Sequence, residues 1–270
     1  MNCCICGPVK NCGLYLKKVL ENMEKLGSIF DDYKILLFYD ISTDNTLQIL
    51  KEYQKKNPKM KFYVNKKAVS KFRTHNIAVA RNFCLNYVKK NIDKYPFFIM
   101  MDTDDVNCKE VNIEVLKKYL NRYDWDGLSF NTAPKYYDIW GLSIYPYCFS
   151  YNHFNNNDIH NYDIIQNYIT KLLNKLPKGE LLACISSFNG FSIYRTNKFL
   201  KTYYDGRVRL DLVPQRNLIS HMKASKSKLV FKKYPTVDGR YEDCEHRAFH
   251  MQARQKSDAR IMISPEVLFK

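Results

Sequence analysis

An acidic segment, DTDD at positions 102–105, directly follows the apolar run Phe97 to Met101. Three carboxylates this close repel one another unless a cation lies between them. Carboxylates with open coordination positions suit Mg²⁺ or Mn²⁺ holding a diphosphate. The alternative is an acidic turn that caps the next helix, since Asp is favoured in turns and caps. Open parallel sheets bind ligands outside the carboxyl ends of their strands, so we favour a metal site at Asp102 and Asp104.

A second acidic residue, Asp40, ends the apolar run Tyr33 to Tyr39 and precedes a polar turn and a predicted helix. A carboxylate at this place can accept hydrogen bonds from the base or the ribose of a nucleotide. The alternative is an ordinary turn between a strand and a helix, with Asp44 as the helix cap. The pattern alone does not separate the two interpretations.

A third feature is Arg81, in the element Ala80-Arg81-Asn82 of a helical pattern. A guanidinium placed there could bind a diphosphate through two parallel hydrogen bonds. The alternative is a surface arginine of the kind that any helix can carry.

Two histidines and three carboxylates lie close together near the end of the sequence: Glu242, Asp243, Glu245, His246 and His250. The period predicts a helix over 240–255, which would place both histidines on one face and Asp243 one turn earlier. A carboxylate of this group could deprotonate an acceptor hydroxyl, and one histidine could complete the metal site. The alternative is that the histidines have structural roles only.

Apolar runs alternate with helical patterns through the first 125 residues, which indicates a mostly parallel sheet with helices on both faces. Short, continuous apolar runs are typical of strands that are buried on both faces. The predicted strands are Asn2–Val9, Tyr33–Tyr39, Lys61–Val64 and Phe97–Met101, and the predicted helices include Thr46–Lys56 and Asn76–Lys90. The fold class is therefore α/β.

The pattern is looser after about residue 125, where an aromatic-rich stretch covers 136–154 and a polar loop covers 155–161. We expect helices over 163–176 and 240–255, a strand over 184–194 that Asn189-Gly190 interrupts, and a last strand over 259–264. We find no internal repeat and no long linker. We therefore expect one domain over 1–270, with a nucleotide-binding half (1–125) and an acceptor-facing half (126–270).

The composition leaves several classes of protein open. A net charge of +16 favours anionic partners such as nucleic acid, phosphate-bearing ligands or membrane headgroups, although lysines on solvated helix faces explain much of it. The nine cysteines have no repeating spacing and are interpreted as reduced core residues. No apolar run of about 18 residues and no secretory signal pattern is evident, so we expect a cytoplasmic protein without a membrane span.

Four of these motifs occur in the order found in a known family. The chain resembles GT-A glycosyltransferases, specifically those similar to glycosyltransferase family 2. Its YDISTDNT segment at 39–46 is similar to the Asp-Asp-Gly-Ser-Thr-Asp-x-Thr element of that family, with Tyr39 and Ile41 departing from the pattern. Ala80-Arg81-Asn82 matches as well, DTDD resembles the Asp-x-Asp motif, and Glu242-Asp243 resembles the Glu-Asp element. Two further segments, FNTAPKYYDIWGL and SSFNGFSIYRT, resemble GT-A enzymes encoded by large DNA viruses, which suggests a viral origin.

The resemblance implies a GT-A fold with a mixed, mostly parallel central sheet flanked by helices. It implies transfer of a sugar from a nucleotide-sugar donor, commonly UDP-linked, to a hydroxyl of a glycan or glycoprotein, with Mn²⁺ or Mg²⁺ as cofactor. The residues implied for donor binding are Pro8, Val9, Asp40, Arg81, Asp102 and Asp104. Those implied for the metal are Asp102 and Asp104, to which the histidine cluster adds one of His246 and His250 as a predicted ligand. Asp243, with Glu242, is implied as the catalytic base of an inverting reaction, and a retaining outcome stays open.

Two rivals remain at this point. A nucleotidyltransferase acting on sugar phosphates also places metal-binding carboxylates at strand ends, but it usually has a Gly-rich, basic phosphate loop after the first strand. Here that turn reads GPVKN at 7–11 and is poor in Gly. A basic nucleic-acid-binding protein would account for the charge and the 21 Tyr. No helix-turn-helix, zinc-finger or RRM signature is evident, and we expect no specific nucleic-acid partner.

Overall fold

A computed structural model of the protein describes residues 1–149, 158–225, 236–237 and 240–270. Strands and helices alternate through its first half, as predicted. The order is β1 (Asn2–Val9), α1 (Gly13–Gly27), β2 (Asp32–Tyr39), α2 (Thr46–Lys56), β3 (Met60–Val64), α3 (Arg73–Lys90), β4 (Phe97–Met101) and α4 (Ile113–Leu120). Phe97 to Met101 and most of β2 are fully buried, as expected of strands with both faces covered.

The second half completes the sheet with fewer regular connections. Its elements are β5 (Gly127–Asn131), α5 (Asp158–Lys175), β6 (Leu182–Cys184), β7 (Phe191–Arg195), α6 (Gln215–Ser225), β8 (Thr236–Val237), β9 (Arg240–Tyr241), α7 (Glu245–Ser257) and β10 (Ile261–Val267). β8 and β9 form a separate two-stranded sheet. Within the described residues, no helix combines the length and the apolar character that crossing a membrane requires.

The eight-stranded central sheet has the order β3-β2-β1-β4-β7-β5-β10-β6. β1 pairs in parallel with both β2 and β4, and β5 pairs in parallel with β10. β7 lies antiparallel between β4 and β5, and β6 is antiparallel to β10. The sheet is therefore mixed but mostly parallel, and the carboxyl ends of β2, β1 and β4 meet at one edge.

Each face of the sheet covers its own hydrophobic core. Successive side chains of a strand point to opposite faces, so β1 places Cys3 and Ile5 in one core and Cys4 and Cys6 in the other. Helices α1, α2 and α4 cover the first core, and α3, α5 and α7 cover the second. All nine cysteines are free and eight of them are buried, which agrees with their interpretation as core residues.

Several predicted boundaries in the second half are wrong. The predicted strand over 184–194 is two strands, β6 and β7, that lie at different places in the sheet. The predicted helix over 240–255 begins only at Glu245, because Arg240 and Tyr241 belong to a hairpin strand. The predicted polar loop over 155–161 is the start of α5 from Asp158 onward, and residues 155–157 lie outside the described residues.

Gly7 allows β1 and β4 to approach closely just before the first turn. A methyl group on this residue would collide with the backbone oxygen of Met101. We expect Gly7→Ala to lower the free energy of unfolding by about 2 kcal/mol, because overpacking a rigid core forces the backbone to move. Denaturant unfolding measures this change, and Leu14→Ala, at a side chain that is 85% exposed, is the control. A Gly7→Ala variant as stable as the control would contradict the close approach.

Candidate active site

A cavity of about 830 Å³ opens at the edge where β1, β2 and β4 end. Its walls come from both halves of the chain: from the turns after these strands, from α3, from the loop after β5 and from the start of α7. The volume is in the range of ligand pockets, and this edge is where open α/β sheets bind ligands.

One end of the cavity is built around Asp40. Its carboxylate accepts hydrogen bonds from Lys10 Nζ at 2.9 Å and Asn65 Nδ2 at 3.0 Å, and its side chain keeps some contact with solvent. The neighbouring Asp44 accepts from Thr46 N, at the first residue of α2, and from Gly13 N, but the N-cap of α2 is Asn45, whose side chain makes no cap hydrogen bond. The segment therefore has a carboxylate in the cavity, and Asp44 ties the turn to the start of α1 rather than being the N-cap residue of α2. Pro8 and Val9 line the same region.

The middle of the cavity contains the acidic run after β4. Thr103 Oγ1 donates to the carbonyl of Pro8 at 3.0 Å, which fastens the run to the turn after β1. Asp102 and Asp104 line the cavity, whereas Asp105 is exposed outside it. Burial, followed by the charges of Asp102 and Asp105, raises the pKa of Asp104 to about 7. This carboxylate thus lies in a place that lacks compensating positive charge.

Arg81 links the two halves of the cavity wall. Its side chain is almost fully buried; one nitrogen donates to Asp102 Oδ1 at 2.7 Å and Nε donates to Glu245 Oε1 at 2.8 Å. The guanidinium also lies 4.6 Å from the centre of the Phe188 ring. Arg81 therefore lines the cavity as predicted, but two carboxylates already compensate its charge. Only its third nitrogen is without a hydrogen-bond partner among the described residues.

The two histidines of α7 have different surroundings, although their rings lie 5.7 Å apart. His246 lines the cavity, stacks on Phe188 and has no hydrogen-bond partner on either ring nitrogen among the described residues. Burial and then the nearby Arg81 hold the pKa of His246 well below its usual value, so its ring is neutral. His250, predicted as a metal ligand, is fully buried outside the cavity wall. Its nitrogens lie 2.9 Å from Ser186 Oγ and 3.0 Å from Tyr194 OH, which is the arrangement of a structural histidine.

The predicted catalytic pair, Glu242 and Asp243, also lies outside the cavity wall. Glu242 accepts hydrogen bonds from the backbone and hydroxyl of Thr74, at the start of α3. Asp243 is 2% exposed and accepts from Cys244 N at 2.8 Å and from Arg247 Nε at 2.9 Å. The physical reason is the late start of α7, which leaves Asp243 before the helix, with Cys244 as an extended N-cap residue between them. The carboxylate that does reach the cavity from this segment is Glu245.

Comparison with known proteins places the chain in a family. The model of "Glycosyl transferase family 2" matches residues 4–192, which is more than half of the chain. The chain belongs to glycosyl transferase family 2. This membership, together with the mixed, mostly parallel sheet, confirms the predicted GT-A-type architecture and the prediction of a glycosyltransferase.

Individual relatives of this family member are distant. The "Uncharacterized glycosyltransferase MG025 homolog" of Mycoplasma pneumoniae is 31% identical over 99 residues, which are 36% of this chain and 29% of that protein. The crystal structure of S. aureus TarS 1-349 with UDP-GlcNAc is similar at 16% identity and a TM-score of 0.49, over 100% of this chain and 57% of that one. The mannosyltransferase PcManGT of Pyrobaculum calidifontis, with GDP-Man and Mn²⁺, has 10% identity and a TM-score of 0.43, over 75% and 47%. The chain thus spans less than two thirds of each of these proteins, and TM-scores below 0.5 do not bear on function.

Several residues that line the cavity of this glycosyl transferase family 2 member were not predicted from the sequence. Glu245 stood in the acidic cluster but was given no role. Tyr137, Asp138 and Trp140 line the cavity from the loop after β5, and Lys10 reaches it from the turn after β1. The signal for the loop was present as the segment YYDIW, which resembled other GT-A enzymes without suggesting a function.

Proposed function

We propose that this chain transfers a sugar from a nucleotide-sugar donor, UDP-linked in the first instance, to a hydroxyl group of a glycan or glycoprotein, with inversion at the anomeric carbon. The observation that carries the proposal is the order of groups along the cavity. Asp40 follows β2, Asp102 and Asp104 follow β4 two strands away in the sheet, and Arg81 joins Asp102 to Glu245 on the wall formed by α7. This order matches a ligand made of a nucleoside, a diphosphate and a sugar.

The acidic pair fits a divalent cation. Within the described ranges, no group of three or more His, Cys, Asp or Glu side chains could hold a metal ion by itself. Mg²⁺ and Mn²⁺ commonly use only one or two carboxylates together with the substrate's phosphates, and Asp102 and Asp104 supply that number. Burial, followed by the charges of Asp102 and Asp105, raises the pKa of Asp104, and a cation would offset both effects. A cation held there would act as a Lewis acid that stabilises charge on the leaving diphosphate.

The end of the cavity proposed to bind the nucleoside contains Asp40 and Lys10. Asp40 is held in place by its hydrogen bonds to Lys10 and Asn65, so one carboxylate orientation is fixed before the ligand arrives. We infer that Asp40 accepts a hydrogen bond from the base or ribose. Pro8 and Val9 form the apolar surface beside it.

Glu245 is the carboxylate best placed to take the proton of the acceptor hydroxyl. One of its oxygens accepts from Arg81, and the other accepts no hydrogen bond from the described residues. Asp243, by contrast, is buried in an ion pair with Arg247 and does not line the cavity. We therefore assign to Glu245 the role that the resemblance gave to Asp243. Attack by the acceptor oxygen would break the bond between the anomeric carbon and the diphosphate, and the proton would pass to Glu245.

Ligand-induced stabilisation tests the proposal. UDP and Mn²⁺ together should raise the melting temperature by about 5 °C at a nucleotide concentration near a hundred times Kd, because binding to the folded state alone stabilises it. Neither alone should do so to the same extent, and a nucleotide-sugar screen with Mn²⁺ should show donor hydrolysis. Absence of any shift with UDP, GDP and their sugars, beside steeply salt-dependent nucleic-acid binding, would overturn the proposal.

A further inference from the structure

The cavity has one wall whose role the proposed function leaves open, formed by residues 137–140 after β5. We call this segment the YDIW loop. Tyr137, Asp138, Ile139 and Trp140 all line the cavity. The loop lies on the opposite side of the acidic pair from Asp40, since the sheet order runs from β2 through β1, β4 and β7 to β5.

The YDIW loop is fixed by Asn189, which lies in the SSFNGFSIYRT segment. The side-chain oxygen of Asn189 accepts from the backbone N–H of Tyr137 at 3.1 Å and of Asp138 at 2.8 Å. Its amide nitrogen donates to the carbonyl of Phe130 at 2.7 Å. Asn189 is 2% exposed and has a φ of 57°, a conformation that Asn tolerates better than most residues. The loop is therefore held in place by the sheet itself.

Asp138 presents a carboxylate to this part of the cavity; the charge of Arg247 lowers its pKa, but the two form no direct ion pair within the described residues. One oxygen accepts from Gly141 N at 2.8 Å, and no Lys or Arg of the described residues pairs with it. Burial is the main cause that raises the pKa of Asp138 to about 6, and the charges of Asp102 and Glu245 add to it. Beside it, the indole N–H of Trp140 is buried and has no partner among the described residues. The Asp138 carboxylate is therefore available to accept from a ligand in the cavity, and the Trp140 side chain offers its ring to the same wall.

The chemistry of this wall suits a sugar. A carboxylate accepts hydrogen bonds from hydroxyl groups, and an aromatic face packs against the C–H groups of a pyranose ring. Asp102 N donates to the carbonyl of Gly190 at 2.9 Å, and Gly190 directly follows Asn189, which holds the loop, so this wall lies beside the place of a diphosphate at Asp102 and Asp104.

We propose that Asp138 and Trp140 bind the transferred sugar of the donor, and that this sugar is an uncharged hexose. The inference rests on the proposed function and adds a specificity to it. Asp102, Asp138 and Glu245 all border this part of the cavity, and Arg81, the one buried guanidinium among the described residues that line it, already pairs with two of them. The carboxylate of a uronic acid would add a fourth negative charge to these three, which burial makes costly.

Binding measurements with paired ligands test the proposal. With Mn²⁺ present, calorimetry gives Kd values for UDP, UDP-glucose, UDP-galactose and UDP-glucuronate, and for GDP and GDP-mannose. We expect Asp138→Asn to weaken binding of the preferred hexose nucleotide about tenfold or more, because a hydrogen bond to a charged group is lost. Binding of the free nucleotide should change by less than about twofold. Wild-type protein should bind UDP-glucuronate at least about tenfold more weakly than the preferred hexose nucleotide.

Two further variants separate a role in sugar binding from a role in folding. Gly141→Ala would place a methyl group against the Asp138 carboxylate and displace it without changing its charge. It should reproduce the selective loss of hexose binding. Asp93→Asn removes an exposed carboxylate that does not line the cavity, and it should bind every ligand as the wild type does.

Three results would overturn the proposal. Asp138→Asn could weaken UDP and hexose nucleotides equally, or weaken neither, or the wild type could bind UDP-glucuronate as tightly as hexose nucleotides. Failure of the proposed function itself is distinct, because then the wild type would bind no nucleotide or nucleotide sugar at all.

Discussion

Asp104→Ala is expected to reduce sugar transfer by about 1000-fold. Stabilisation of a leaving diphosphate by a metal ion contributes several kcal/mol, and about 4 kcal/mol corresponds to that factor. Asp104 is one of two carboxylates that line the middle of the cavity, and its charge is poorly compensated by the protein. Turnover of the preferred nucleotide sugar, measured as a function of Mn²⁺ concentration, checks the prediction. Nucleotide binding in the presence of Mn²⁺ should weaken as well.

The matched control for this variant is the next residue. Asp105 has the same side chain, but it is exposed and does not line the cavity, so Asp105→Ala should keep its activity within about threefold of the wild type. Full metal-dependent activity of Asp104→Ala would refute the metal assignment. Equal losses in both variants would indicate a general effect of the acidic run rather than a ligand.

Glu245→Gln is expected to lose catalytic rate, whereas Asp243→Asn is expected to lose stability. Glu245→Gln should lower kcat by roughly 100-fold or more, with little change in donor affinity, because proton transfer is lost while the side chain keeps its shape. Asp243→Asn should instead lower the free energy of unfolding by about 3 kcal/mol, because the charge of Arg247 would stay buried without its partner. Arg247 also donates to the carbonyls of Leu142 and Cys148, so the segment between them should loosen.

The kcat values of Glu245→Gln and Asp243→Asn are compared for folded protein only. Chemical denaturation gives the folded fraction of each variant, and kcat is expressed per folded molecule. An Asp243→Asn variant that is as stable as the wild type but inactive would return the catalytic role to Asp243. A Glu245→Gln variant with wild-type kcat would remove Glu245 from the mechanism.

The first half of the fold could be predicted closely because its signals are local. β1, α2 and β4 have the predicted boundaries, since continuous apolar runs and a 3.6-residue period are written directly in the sequence. The placement of Asp40 and Asp102 at one edge follows as well, because parallel strands end on the same side of a sheet. The proximity of Asp40 and Asp102 could therefore be predicted from the sequence.

The second half depends on contacts between distant segments, which a periodic pattern does not contain. The helical period around His246 and His250 was correct, but its start was placed five residues too early, so Asp243 was assigned to a helix face. Asn189 and Asp138 were both visible in the sequence, yet only the folded chain brings them into contact. Arg81 was expected at a diphosphate, and the carboxylate that pairs with it from 164 residues further along the chain could not be foreseen.

Because β7 lies between β4 and β5, the first half of the chain does not form a complete sheet by itself. A fragment that stops near residue 125 would contain the Asp40 end of the cavity but would leave one side of β4 without a neighbour. Unpaired apolar strand edges template aggregation, so such a fragment is unsuited to independent expression. The proposed donor end and acceptor wall of the cavity are thus built on one continuous sheet, so we expect that neither could be exchanged with another protein by a single splice.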